Sequence, residues 1–165
     1  MDAKSPRYSH TIMERAVLPA DINGFNTLYG GKLMEWVDNI AGIVAARHSR
    51  RMSVTGSIDG LFFLSPIRLG DIVRLDAWVN YVTRSTMEIE VDVVTEESMT
   101  GVKKLTTKAF LTYVAVDSEG RPVEVPRLRP GTRGERVRFR EGKRRSGMRQ
   151  QRLKEVRADA AKFKL

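Results

Sequence analysis

A single apolar stripe followed by a change of period constrains this chain more than any other feature. Residues 31–48, GKLMEWVDNIAGIVAARH, set Leu33, Trp36, Val37, Ile40, Ala41 and Val44 at helical spacing. Downstream the period falls to two. Val73, Leu75, Ala77, Val79 and Tyr81 alternate with Arg74, Asp76 and Asn80, and Met87, Ile89, Val91 and Val93 alternate with Glu88, Glu90 and Asp92. Leu105, Thr107, Ala109, Leu111, Tyr113 and Ala115 repeat the pattern, SVTGSIDGLFFL ahead of Ser65 and Pro66 supplies a fourth strand, and residues 8–17 a first. Turns are expected at Gly70-Asp71, Thr83-Arg84, Thr100-Gly101 and Glu119-Gly120. The order is strand, helix, four strands. Its economical solution is an α+β fold in which a five-stranded antiparallel sheet of half-buried strands curls around one long central helix. Such a sheet has open edges, so dimerisation by edge pairing is expected.

The charge of +9 is unevenly placed. Residues 127–165 hold 15 Lys and Arg against 4 Asp and Glu, which leaves residues 1–126 at −2. Aliphatics also thin out after VPRLRPG. The chain therefore reads as one domain, 1–126, and a basic, partly helical C-terminal extension, 127–165. Cysteine is absent, which excludes disulfides, thiolate metal sites and cysteine nucleophiles. The first residues lack a signal-peptide apolar run, and no window approaches the roughly 20 apolar residues of a membrane span. A soluble cytoplasmic protein is expected.

Within the helix, Asp38 lies about 140° from Leu33 at 100° per residue, off the stripe and beside Gly31, Met34, Gly42 and Ala45. Small neighbours allow a ligand or second chain to approach, and partial desolvation would keep the carboxylate reactive as a base. A solvated surface aspartate fits the same spacing. Gly30 and Gly31 open the helix, where backbone N–H groups lack partners and can bind an oxyanion. A tight turn that needs glycine only for its dihedrals is the alternative.

Five segments in order, PADINGFNTLYGGKLMEWVDNIAGIVAARH, VTGSIDGLFF, GDIVRLDAWV, TRSTMEIEV and AFLTYVAVDSEGRPVEVP, resemble the acyl-CoA thioester hydrolases of the hotdog fold. The resemblance runs from about residue 13 to residue 126. It implies hydrolysis of fatty acyl-CoA to free fatty acid and coenzyme A, with no cofactor beyond coenzyme A itself as part of substrate and product. It also implies a homodimer that can associate further into hexamers. The family's catalytic carboxylate, seven residues after the second glycine, falls on Asp38, and its partner asparagine in Pro-x-Asp-x-Asn falls on Asn23, the two coming from opposite protomers. Asn26 and Thr27 lie near the same site in the family. The turn of Thr83, Arg84, Ser85 and Thr86 matches the family's contact with the CoA nucleotide. Thr55 and Asp59, on a strand where Thr55, Ser57 and Asp59 alternate, are expected as supporting residues beside the interface.

The chemistry suits these residue types. A thioester has an activated carbonyl and a thiol leaving group with a pKa of about 8.5, so one base and one oxyanion site suffice. Asp38 would deprotonate water or attack directly to form an anhydride, Asn23 would position the water or carbonyl, and the amides around Gly30 and Gly31 would hold the oxyanion. No Gly-x-Ser-x-Gly elbow occurs. His10 and His48 are too few and too far apart for a metal site and read as structural or solvated. Met34, Trp36 and Phe62 read as core or acyl-tunnel wall. Two rivals remain, a hotdog hydratase or acyl-CoA binding protein, and a module whose basic tail binds nucleic acid or anionic membrane.

Overall fold

The computed structural model describes residues 2–163. Strand β1 (Thr11–Ala16), helix α1 (Gly30–Ser49), strands β2 (Met52–Phe63), β3 (Ile72–Val82), β4 (Thr86–Glu96) and β5 (Lys103–Val116), and helix α2 (Arg133–Ala160) follow in that order. The first strand is shorter than its expected range because Tyr8 closes a 3₁₀ turn over Pro6–Tyr8. Gly70, Gly101 and Gly120 sit at φ of 86°, 71° and 76° in three of the expected turns, a region open to glycine and costly for most other residues.

All strand pairs are antiparallel, in the spatial order β1-β3-β4-β5-β2. The connection through α1 thus carries the chain from one edge of the sheet to the other, and the helix spans the inner face. Leu33, Trp36, Val37, Ile40, Ala41 and Val44 are all buried there with Leu75, Val79, Ile89, Val91, Leu111 and Ala115. Each large aliphatic side chain so buried contributes about 1.5–3 kcal/mol. The stripe that is visible in the sequence is therefore the stripe that holds the fold.

The outer face departs from a half-buried sheet, because α2 covers it. Glu88 and Glu90, which alternate with the core residues of β4, are 1% and 5% exposed. Arg145 of α2 donates to Glu88 Oε1 through Nε at 3.0 Å and Nη2 at 2.7 Å, and Lys108 pairs with Glu90. Burial pushes the Glu88 carboxyl above its ordinary value, with Arg145 and then Arg149 opposing the shift. A Cβ at Gly142 would stand 2.9 Å from both Tyr81 Cβ and Glu88 Oε1, so a glycine is what lets the helix lie this close.

Edge strand β2 is mostly exposed and pairs only with β5. Its register slips twice, between Thr55 and Ser57 and again between Ile58 and Gly60. Each extra residue reverses the side-chain alternation. The first slip separates Thr55 from Asp59, and their partners lie on opposite faces, Asp38 for Thr55 and Thr112 and Arg149 for Asp59, contrary to the single polar side expected from their spacing.

Candidate active site

Asp38 sits two turns into α1, partly buried. Thr55 on β2 donates to its Oδ1 at 2.8 Å, and the Tyr113 hydroxyl on β5 shares its one proton between the same oxygen at 2.7 Å and the Asp38 carbonyl at 2.8 Å. One carboxylate oxygen is thus anchored twice, and Oδ2 is left for other work. Gly42, one helical turn on, faces the Tyr113 ring, and a Cβ there would stand in ordinary contact with it, 3.5 Å from the hydroxyl. Burial drives the Tyr113 hydroxyl well above its ordinary pKa, so it remains a donor across the working range of any hydrolase.

Tyr113 is the residue that the sequence reading used only as a strand position. Its signal was present. In the inward row Ala109, Leu111, Tyr113, Ala115 it is the one side chain with a polar tip, and a buried tyrosine hydroxyl needs a partner.

A second cluster lies at the helix start. Asn23 Oδ1 accepts from Phe25 N at 2.9 Å, Thr27 N at 3.3 Å and Thr27 Oγ1 at 3.1 Å, which locks the loop as an Asx turn. Asn26 takes the left-handed conformation this requires, at φ 56°. The carbonyl of Asn23 is thereby occupied, while its amide group has no hydrogen-bond partner among the described residues. Helix α1 begins at Gly30 with no side-chain cap from Tyr29. The N–H groups of its first turn thus lack the usual acceptors. Gly30 and Thr27 line a groove of about 450 Å³ whose other walls include Leu28, Leu33, Phe63 and Ile67. Within one chain no hydrogen bond links this cluster to Asp38. Seven residues at 1.5 Å rise put Gly31 and Asp38 roughly 10 Å apart along the helix.

The remaining candidates fall elsewhere. The Thr83–Thr86 turn is closed by Thr83 N to Thr86 O at 2.9 Å, and Arg84 is 84% exposed with one ion pair to Glu124 at 3.1 Å. Ser85 is held through its carbonyl by Ala115 N at 2.9 Å. Asp59 accepts from Ser57, Thr112 and Arg149 on the outer face and does not approach Asp38. Trp36 belongs to the core, whereas Met34 and Phe62 are exposed in a single chain. His48 Nε2 lies 2.9 Å from the Pro126 carbonyl and His10 meets Asp76. Among the described residues no three His, Asp or Glu side chains converge as metal ligands, and no helix is long and apolar enough to cross a membrane.

A central helix cradled by an antiparallel sheet in the order 1-3-4-5-2, with a carboxylate on the helix next to a free edge strand, is the hotdog class of fold. Comparison with known proteins narrows the class. Residues 25–102 match the thioesterase superfamily. The chain is 49% identical over 127 residues to an uncharacterized acyl-CoA thioester hydrolase, YkhA, of Bacillus subtilis, over 77% of this chain and 74% of that one. It superimposes on an acyl-CoA hydrolase of Staphylococcus aureus, solved with butyryl coenzyme A, coenzyme A and coenzyme A disulfide, with a TM-score of 0.92 and 34% identity over 98% of both chains. Variants of that enzyme with an asparagine, a threonine or an aspartate replaced by alanine superimpose at TM-scores of 0.93, 0.92 and 0.93. An apo-hexameric acyl-CoA thioesterase gives a TM-score of 0.89 at 37% identity, over 93% of this chain and 98% of that one. The chain belongs to the thioesterase superfamily, among its acyl-CoA thioester hydrolases.

Proposed function

We propose that this acyl-CoA thioester hydrolase works as a homodimer whose sites each combine two half-sites. Asn23, Thr27 and the Gly30 and Gly31 amides come from one protomer, and Asp38, Thr55 and Tyr113 from the other. The observation that carries this reading is the geometry of α1. Its open N-terminus and its carboxylate lie roughly 10 Å apart along the axis, too far for one thioester carbonyl to meet both. Thr55, which anchors Asp38, stands on the one long strand with an unpaired edge. Pairing β2 with its symmetry mate brings the second helix alongside in the reverse sense, and a two-fold axis then sets each carboxylate against the other chain's helix start.

In the assembled site the groove walled by Leu28, Leu33, Phe63 and Ile67 takes the proximal part of the fatty acyl chain. The first-turn amides hold the carbonyl oxygen as charge develops on it, and Asn23 Nδ2 orients the water or that oxygen. Asp38 Oδ2 takes the proton from water, with Oδ1 fixed by Thr55 and Tyr113 so that the carboxylate does not turn away. Addition gives a tetrahedral intermediate. Its collapse expels the CoA thiolate, which needs little acid help. The turn carrying Arg84, Ser85 and Thr86 offers a guanidinium and hydroxyl and backbone donors to the nucleotide phosphates once Arg84 exchanges Glu124 for them. One relative is an apo-hexameric acyl-CoA thioesterase, and a hexamer built as a trimer of dimers is the expected assembly here.

Mixing Asn23→Ala and Asp38→Ala proteins, each inactive alone, tests the shared site. After subunit exchange half the dimers are mixed and each holds one intact site, so roughly a quarter of wild-type activity should return. No recovery, with exchange verified by differential mass labelling, would place both groups in one chain's site and overturn the reading.

A further inference from the structure

Helix α2 crosses the outer face in a fixed order. Phe139 meets the Tyr81 ring edge-on at 5.2 Å and Arg138 stacks 4.0 Å over Trp78, both on β3. Arg145 then pairs with Glu88 of β4 and lies 4.0 Å over the Phe110 ring of β5, and Arg149 reaches Asp59 of β2 at 2.8 Å. The helix has therefore travelled from β3 to the free edge of the sheet by residue 149. It continues to Ala160. Residues 150–160, about 16 Å of helix, are exposed throughout. They carry Leu153, 45% exposed, and Val156, 55% exposed. With Ala160 these form a stripe at helical spacing that covers nothing in its own chain. A helical end of this length is marginal in water unless something packs on it.

We propose that this overhang docks on a second copy of the chain: it crosses the seam between the two β2 strands and lies on the outer face of the partner's sheet, beside the partner's own α2. The proposal rests on the dimer reading above. The occupant follows from continuity, because α2 leaves the domain over the same strand whose edge the second copy pairs with. At roughly 4.8 Å between strands, an overhang of about 16 Å reaches over the first three strands of the neighbour. Two-fold symmetry makes the contact reciprocal, so the dimer is closed by two helical braces on the outside and by α1 packing on the inside.

The full-length chain supplies the test. Hydrogen exchange on the intact protein should show the 150–160 amides protected at concentrations where the dimer is formed. A Leu153→Glu/Val156→Glu variant, altered only at exposed positions, should lose that protection and raise the dimer dissociation constant on the order of tenfold or more by sedimentation, as expected for deleting an apolar anchor. Its activity per dimer should be retained. A stable dimer whose 150–160 amides exchange at the rate of free peptide would overturn the brace and leave the shared site standing. Loss of hexamers with an unchanged dimer constant would place the overhang between dimers and overturn it as well. A monomeric but active wild-type protein would remove the dimer reading and the brace with it.

Discussion

The two helices occupy opposite faces of one sheet and are held by different physics. On the inner face α1 buries an aliphatic stripe, an interaction that is non-directional and scales with area. On the outer face α2 is held by two rings stacked under guanidinium groups and by carboxylates that arginines neutralise. The first kind of contact repeats with the helical period; the second is set by partner identity at a few positions. The division also separates duties. Asp38 of α1 is held from β2 by Thr55 and from β5 by Tyr113, while α2 brings no group to it.

The sharpest break of that comparison removes the chemistry from α1 without touching its packing. Asp38→Asn should lower kcat by about 10²- to 10⁴-fold with the thermal midpoint unchanged, since Asp38 lies off the buried stripe. Steady-state kinetics beside circular dichroism melting would show it, and near-normal kcat in a folded variant would return Asp38 to a solvated surface role. Next in size is Arg145→Met on α2. It leaves the fully buried Glu88 without its main partner and should destabilise the protein by about 3 kcal/mol in urea, while kcat well below the transition stays within a few fold. Adding Glu88→Leu to that variant should restore much of the loss. Unchanged stability in Arg145→Met would mean that α2 is not docked as described.

The same contrast explains what was legible in the sequence. The stripe on α1 and the alternation in β3, β4 and β5 are area effects, so the element order and the wrapped architecture could be read directly. Cover on the outer face could not. Glu88 and Glu90 alternate with core residues as solvent-facing side chains do, and nothing in their spacing signals Arg145 or Lys108. Of the site, the small neighbours of Asp38 fit a solvated surface aspartate as well as a base, and its selection came with the family's pattern, seven residues after the second glycine. The position of Asn23 came with the family's pattern, because its own hydrogen bonds are those of an ordinary Asx turn. Asp59 was grouped with Thr55 because alternation was assumed to hold along β2, and two bulges break it.

A smaller effect probes how Asp38 is held. Tyr113→Phe keeps the buried ring and removes one of two donors to Oδ1. It should lower kcat roughly tenfold, about 1.4 kcal/mol, with KM little changed. Thr55→Val on the same background tests whether the donors act together; a double variant no worse than either single one would mean that they hold a single geometry. A raised KM at constant kcat would instead assign Tyr113 to substrate binding.

The smallest effect sets the two faces against each other through pH. His48, buried at the end of α1, is pushed below its ordinary value of 6.5, chiefly by burial, with the Pro126 carbonyl opposing and the Lys4 charge adding to the shift. Between that lowered value and 6.5 the unfolded chain binds more protons than the native one, so stability falls as pH drops through this window. Glu88, under α2, is raised by burial, so in its window the native state binds more protons and stability gains as pH falls. Urea midpoints from about pH 8 to about pH 5 should therefore show a flatter acid slope for His48→Gln than for wild type, and a steeper one for Glu88→Gln. If both variants trace the wild-type curve, neither buried group is coupled to folding.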